Sequence, residues 1–118
     1  MAGWWLVDDV EWLSLPEVAE RLGRRLSEVR RMLADRQLLA VRRGERGALS
    51  VPAALLGPDG PLPDLPGTLT VLADNGVVDE DAFSWLFSKD PSIVGGSPIG
   101  ALLAGHKTEV RRRAQALG

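Results

Sequence analysis

The stretch that decides the fold runs over residues 14–23, with the sequence Ser-Leu-Pro-Glu-Val-Ala-Glu-Arg-Leu-Gly. Ser14 and Glu17 have the spacing of a capping box, in which each side chain binds the backbone N–H of the other residue. The apolar residues after Ser14 recur at the spacing of one helical face, and they are Leu15, Val18, Ala19 and Leu22. Gly23 supplies the left-handed conformation that ends many helices. The stretch therefore predicts a helix between these two ends that buries one face.

A second helix and a β-hairpin are predicted to follow. Residues 26–36 carry apolar residues at helical spacing, and the expected inward-facing set is Leu26, Val29, Met32 and Leu33. Two helices joined by a short turn after a glycine form the pattern of a helix-turn-helix. Residues 38–41 and 48–51 are expected to be strands, because a turn segment with two glycines separates them. Residues 52–56 are expected to form a short closing helix that begins at a proline.

Positive charge is concentrated in one block of the chain. The whole sequence has a net charge of −2, but residues 21–46 hold nine arginines against three acidic residues, which gives this segment +6. Arginine binds phosphates and guanine edges through two parallel hydrogen bonds, which lysine does not do. The charge distribution therefore predicts a surface that binds nucleic acid.

The candidate DNA contacts lie on the second helix and on the hairpin. A recognition helix enters the major groove with its N-terminal residues nearest the bases. Arg30 or Arg31 is therefore expected to bind guanine, and Glu28 to accept a hydrogen bond from cytosine N4. Arg24 and the hairpin arginines are expected to bind phosphates or the minor groove. The predicted DNA-binding residues are Arg24, Arg25, Ser27, Glu28, Arg30, Arg31, Arg42, Arg43 and Arg46.

Each charged or aromatic cluster also has a simpler interpretation. The arginine block can be a solvated face whose partners are Glu20, Glu28 and Asp35. For residues 111–113 a charged helix end is favoured over a second phosphate-binding patch, because cations stabilise helix C-termini. Trp4, Trp5 and Trp12 are expected to pack against the helix-turn-helix rather than to surround a metal, and His106 is expected at the surface. Without a nucleophile–base pair or a metal-ligand cluster, the sequence predicts no enzyme, no cofactor and no metal.

The second half of the chain is predicted to be helical. Residues 57–67 contain four prolines and three glycines, which indicates an irregular connection. Helices are expected over about residues 65–75, from Asp79 to a break at Asp90-Pro91, from Ser97-Pro98 onward, and over 107–117. The inward-facing residues of the last two helices are expected to include Ile99, Leu102, Leu103, Val110, Ala114 and Leu117.

The predicted fold class is mainly α with a small β-hairpin wing. The expected division is a winged helix-turn-helix domain over residues 1–57, a Pro/Gly-rich connection over 58–67 and a helical domain over 68–118. The absence of cysteine fits a reducing compartment. No apolar run approaches the roughly 20 residues of a membrane helix, and the N-terminus lacks the features of a signal peptide. A cytoplasmic, nucleoid-associated protein without membrane contact is therefore expected.

The first half of the chain resembles the MerR-like and excisionase-like winged helix-turn-helix domains. The resemblance covers residues 14–56 and rests on the segment 15–23, the second helix and the Leu-Ala-Val-Arg-Arg segment 39–43. In those families the two residues after the glycine are usually an apolar residue and then Ser or Thr, where this chain has Arg24 and Arg25. The departure raises the local positive charge and removes the usual hydroxyl cap.

Nearly the whole chain resembles a family of small actinobacterial DNA-binding proteins that join a winged helix to a conserved C-terminal helical domain. This resemblance rests on residues 65–72, on Trp85-Leu86-Phe87 with Asp90-Pro91-Ser92, and on residues 109–116. The C-terminal half is also similar, more weakly, to the toxin-binding domain of Xre/ParS-type antitoxins.

These patterns predict a transcription regulator or nucleoid-associated factor that binds double-stranded DNA. The expected mechanism is neutralisation of phosphates together with modest base recognition. The alternative is a protein-interaction module, in which the C-terminal helices bind a toxin-like partner or a second copy of the chain.

Overall fold

The computed structural model describes residues 10–117, which form two compact units, 10–66 and 67–117. Trp4 and Trp5, whose packing against the helix-turn-helix is predicted above, lie outside the described residues. Within residues 10–117, no helix is long and apolar enough to cross a membrane.

The first unit is a helix-turn-helix with a three-stranded antiparallel sheet. Its elements in chain order are β1 (Trp12–Ser14), α1 (Leu15–Leu22), α2 (Leu26–Ala34), β2 (Val41–Arg43), β3 (Ala48–Pro52) and a 3₁₀ helix (Ala53–Leu55). The strand order is β1-β3-β2, so the hairpin β2–β3 forms the wing. Val18, Val29, Val51 and Leu55 are completely buried in its core. The prediction of a mainly α fold with a small wing is confirmed.

The capping box predicted for α1 is present. Glu17 N–H donates to Ser14 Oγ over 3.2 Å, and Ser14 N–H donates to Glu17 Oε1 over 2.8 Å. At the other end Gly23 has a φ of 65°, and Arg24 N–H donates to Ala19 O over 2.9 Å. These contacts satisfy backbone groups that a helix leaves without partners at its ends. They fix where α1 begins and where it ends.

The strand β1 is not predicted by the sequence pattern. It places Leu13 opposite Val51 in an antiparallel pair, and both side chains are buried. A segment of three residues shows too little alternation to be recognised as a strand. Its pairing with β3, almost forty residues later in the chain, adds a third strand to the sheet that contains the wing.

Three details of the predicted first unit are wrong. Strand β2 begins at Val41 instead of residue 38, and residues 38–40 are buried without forming a strand. Helix α2 ends at Ala34 instead of residue 36, because Arg36 has a φ of 59°, which no helix allows. Leu26 is 36% exposed instead of inward-facing, since the buried stripe of α2 begins at Val29.

Four helices follow in the rest of the chain. They are α3 (Leu65–Asp74), α4 (Asp79–Leu86), α5 (Pro98–Leu103) and α6 (Lys107–Gln115). The side chains that line their buried faces include Leu69, Leu72, Phe83, Leu86, Ile99, Leu102, Val110 and Ala114. Helix α4 ends at Leu86, before the predicted break at residue 90. His106 is exposed and lies at the N-cap of α6, as expected.

Leu103 and Leu117 are exposed, contrary to the prediction that they face inward. Leu103 is 59% exposed because α5 ends with it, and Leu117 is 47% exposed because α6 stops at Gln115.

Arg113, by contrast, has an internal role. Its guanidinium donates to Asp90 Oδ2, to Glu109 Oε1 and to Ser92 Oγ, each over 2.9 Å. Arg113 therefore ties α6 to the loop before α5.

We expect Gly23→Ala to lower the free energy of unfolding of the first unit by about 1–2 kcal/mol, because a Cβ is unfavourable at a left-handed residue. The space around Gly23 is open, so backbone strain is the only cost. Urea unfolding followed by far-UV circular dichroism measures this change. Gly60→Ala is the matched control, because Gly60 also has open space and no left-handed φ. Equal stability of the two variants would contradict the assignment of Gly23 as an obligatory cap.

Candidate nucleic-acid interface

The exposed face of α2 consists of small residues with an arginine on each side. Val29 and Met32 are buried, whereas Ser27, Arg30, Arg31 and Ala34 are exposed. Ser27 and Ala34 are seven residues apart and therefore lie on one line along the helix. Successive residues point about 100° apart, so Arg30 and Arg31 lie on opposite sides of that line.

The N-terminus of α2 is capped by Glu28. Arg25 occupies the N-cap position and has no hydroxyl to offer, so the Glu28 carboxylate completes the cap from the helix side. Its Oε1 accepts from Arg25 N–H over 3.1 Å and from Arg25 Nε over 3.4 Å. Its Oε2 lies 3.8 Å from Arg24 Nη1. One carboxylate thus holds both arginines that replace the usual cap.

These contacts favour the ionised form of Glu28. The backbone N–H of Arg25 is the main cause, and the guanidinium groups of Arg25 and Arg24 add to it. Together they lower the pKa of the Glu28 carboxyl from its ordinary value of 4.5. The cap is therefore charged at neutral pH.

Three of the predicted contact arginines line one groove beside α2. The groove has a volume of about 350 Å³, and its lining residues are Arg24, Arg25, Glu28, Arg31, Met32, Asp35 and Gln37. Arg24 also contacts the connection after the wing, where its Nη2 donates to Asp59 O over 3.3 Å. Arg31 Nε lies 3.8 Å from Asp35 Oδ2, with both side chains more than half exposed. Arg30 is absent from the groove lining and belongs to the opposite side of α2.

The two strand arginines of the wing lie on opposite faces of the sheet. Arg42 pairs with Leu49 and Arg43 with Ala48, and successive strand residues alternate between faces. Arg42 Nη1 donates to Gly47 O over 3.0 Å, which ties it to the hairpin turn. Arg43 stacks on the ring of Trp12, with its guanidinium carbon 4.3 Å from the ring centroid. Arg46 is exposed in the turn itself.

The predicted site residues therefore fall into three groups. Arg24, Arg25, Glu28 and Arg31 surround one groove, Ser27 and Arg30 belong to the rest of the exposed face of α2, and Arg42, Arg43 and Arg46 belong to the wing. The contact between Trp12 and Arg43 and the capping role of Glu28 are features of the site that the sequence did not predict. The only signal of the first contact was an aromatic residue in a short segment before α1. Among residues 10–117, no cluster of three or more acidic or histidine side chains could hold a metal ion.

Two protein families match the chain. Residues 4–56 match the family described as "DNA-binding protein Rv2175c, wHTH domain", and residues 62–118 match "Rv2175c C-terminal domain of unknown function". A relative named "DNA-binding protein Rv2175c", from Mycobacterium tuberculosis (strain ATCC 25618 / H37Rv), is 38% identical over 115 residues. That match covers 87% of this chain and 77% of the relative. The chain belongs to the Rv2175c family.

The fold agrees with a solved structure from the same family. The NMR structure of Rv2175c has a TM-score of 0.82 and 36% sequence identity to this chain. The match covers 92% of this chain and 82% of that one. The predicted resemblance to a small actinobacterial family with a winged helix and a C-terminal domain is thereby confirmed. The likeness to MerR-like domains and to Xre/ParS-type antitoxins stays a prediction.

We expect an NMR titration of the side-chain carboxyl carbons to give Glu28 a pKa below 4.5. Because the folded-state pKa is lowered, the stability that Glu28 contributes is fully present above the unfolded-state pKa. It is lost as the pH falls through the folded-state value. An Arg24→Ala, Arg25→Ala double variant is the control, and it should restore the pKa only in part, since the backbone N–H of residue 25 remains. A Glu28 pKa at or above 4.5 in the unmodified chain would contradict the capping role.

Proposed function

We propose that this member of the Rv2175c family binds duplex DNA through α2 and the wing, as a transcription regulator. The observation that carries the proposal is the convergence of Arg24, Arg25 and Arg31 on one groove at the exposed side of a helix-turn-helix. A relative that is 38% identical is itself named a DNA-binding protein. A surface of this charge and shape matches what a winged helix offers to a polyanion.

In this proposal α2 enters the major groove. Its outer line consists of Ser27 and Ala34, whose short side chains let the helix approach the base edges closely. Ser27, Arg30 and Arg31 face the bases. The recognition is modest, because one short helix contacts few base pairs.

Two of the three groove arginines, Arg24 and Arg25, bind the phosphate backbone, while Arg31 is left for the bases. Arg24 and Arg25 lie at the N-terminus of α2, where the helix also offers unpaired backbone N–H groups to an anion. Glu28 orients both side chains through its contacts of 3.4 Å to Arg25 and 3.8 Å to Arg24. Since both of its carboxylate oxygens already face N–H donors, we assign Glu28 to positioning these arginines rather than to binding cytosine.

The wing adds a second set of phosphate contacts. Arg42 and Arg43 extend from opposite faces of the sheet, which suits the two sugar–phosphate walls of a minor groove. Stacking on Trp12 restricts the side chain of Arg43 before DNA arrives, so less conformational entropy is lost on binding. Arg46 lies exposed in the turn at the tip of the wing, where a phosphate can reach it.

The predicted organisation is retained in the proposal. Residues 1–57 are assigned to DNA binding, 58–67 to a connection and 68–118 to a helical domain, in a protein of the cytoplasmic nucleoid. The protein-interaction module of the C-terminal helices stays a prediction.

We expect Arg46→Ala to weaken DNA binding and to reduce the salt dependence of the affinity. Each phosphate contact contributes about 0.9 to the slope of log K against log [salt], because counterions are released. Fluorescence anisotropy with a labelled duplex, between roughly 50 and 200 mM salt, measures the slope.

Arg112→Ala is the matched control for Arg46→Ala. It removes the same charge from an exposed position in α6, and Glu109 keeps its contact with Arg113. This variant should leave the slope unchanged. Absence of binding by the unmodified chain at low salt, or equal losses in the two variants, would overturn the proposed function.

A further inference from the structure

We infer that α2 selects guanine, through Arg30 and Arg31, at a step where adjacent base pairs carry guanines on opposite strands. This inference rests on the proposed function, since it assigns a base preference to the same DNA-binding surface. The ligand class is a duplex that contains a GpC or CpG step, recognised from the major groove.

The side chains of α2 favour guanine over adenine. Its sequence, Leu-Ser-Glu-Val-Arg-Arg-Met-Leu-Ala over residues 26–34, contains no Asn and no Gln, the side chains that bind adenine through two hydrogen bonds. Arginine is the side chain that matches the O6 and N7 acceptors of guanine. Ser27 can bond to several bases and adds no selectivity. Gln37 lies beyond the end of α2, away from the N-terminal turns that approach the bases.

Two arginines lie within α2 itself, and they are Arg30 and Arg31. Arg24 and Arg25 precede α2, and both contact Glu28. Arg30 is exposed and forms no ion pair with any of residues 10–117. The contact of Arg31 with Asp35 is 3.8 Å long and its guanidinium side chain is 84% exposed. Exposed ion pairs of this kind contribute little, so Arg31 can exchange this contact for a base.

Arg30 and Arg31 point in different directions from α2. They flank the line through Ser27 and Ala34, about 100° apart around the helix axis. In a major groove the two strands lie on either side of such a helix, so Arg30 faces one strand and Arg31 the other. The two residues are separated by a rise of only about 1.5 Å along the helix. They therefore reach neighbouring base pairs. Since one base pair contains a single guanine, two guanines bound in this way lie on opposite strands of adjacent pairs.

The test measures the affinity of the full chain for four duplexes of equal length, by fluorescence anisotropy at one low salt concentration. The first has a central GpC or CpG step, and the second has A·T pairs there. The third carries 7-deazaguanine, which lacks N7 in the major groove. The fourth carries inosine, which keeps N7 and O6 and lacks only the minor-groove amino group. We expect the A·T and 7-deazaguanine duplexes to bind at least about tenfold more weakly, and inosine to have no effect.

Alanine variants of Arg30 and Arg31 test whether these two residues produce the preference for guanine. Arg30→Ala and Arg31→Ala should each remove part of the guanine preference, and the double variant should bind all four duplexes with one reduced affinity. Circular dichroism of each variant establishes that α2 is intact. Arg112→Ala, as the charge-matched control, should keep the full preference.

The possible failures are distinct. Tight but equal binding of the four duplexes overturns the guanine assignment and leaves the proposed function standing. Loss with inosine but not with 7-deazaguanine also overturns it, because the preference then comes from the minor groove. Loss of the entire preference in one single variant overturns the opposite-strand arrangement. No binding of any duplex overturns the proposed function itself.

Discussion

The carboxylate of Glu28 at the N-terminus of α2 is the interaction on which the arrangement of the interface depends. The N-terminus of a helix carries partial positive charge, and here Arg24 and Arg25 add two full charges beside it. Without a hydroxyl at the N-cap, Glu28 both satisfies the backbone N–H of Arg25 and offsets that repulsion. The surface remains cationic overall, which suits an anionic partner. A local stabilising contact thus makes a strongly basic helix start compatible with folding.

The sheet provides a comparable constraint for the wing. Pairing of β1 with β3 places Leu13 opposite Val51, and both side chains are buried. The same pairing positions Trp12, whose ring stacks against Arg43. Alternation along β2 then places Arg42 on the other face. The wing therefore has a cationic side chain on each face. The buried side chains of the first unit fix the position of the strand from which these arginines extend.

The sequence predicted the parts of this arrangement that depend on near neighbours. The capping box of Ser14 and Glu17, the glycine turn and the order of helices and wing all arise within a few residues, so spacing alone reveals them. Strand β1 depends on pairing between Leu13 and Val51, which no local pattern records. The stacking of Arg43 on Trp12 depends on the strand order in the same way. Leu103 and Leu117 were misplaced because periodicity does not show where a short helix stops. The capping role of Glu28 was not predicted, because an arginine at the N-cap departs from the usual hydroxyl pattern.

The most direct test of the central claim is a ¹H–¹⁵N NMR titration of the full chain with a short duplex, followed through backbone amide and arginine Nε–H signals. If α2 and the wing form one DNA-contacting surface, the largest shifts will fall on residues 24–31 and 42–47 together. Shifts confined to residues 67–117, or to only one of those two segments, would contradict it.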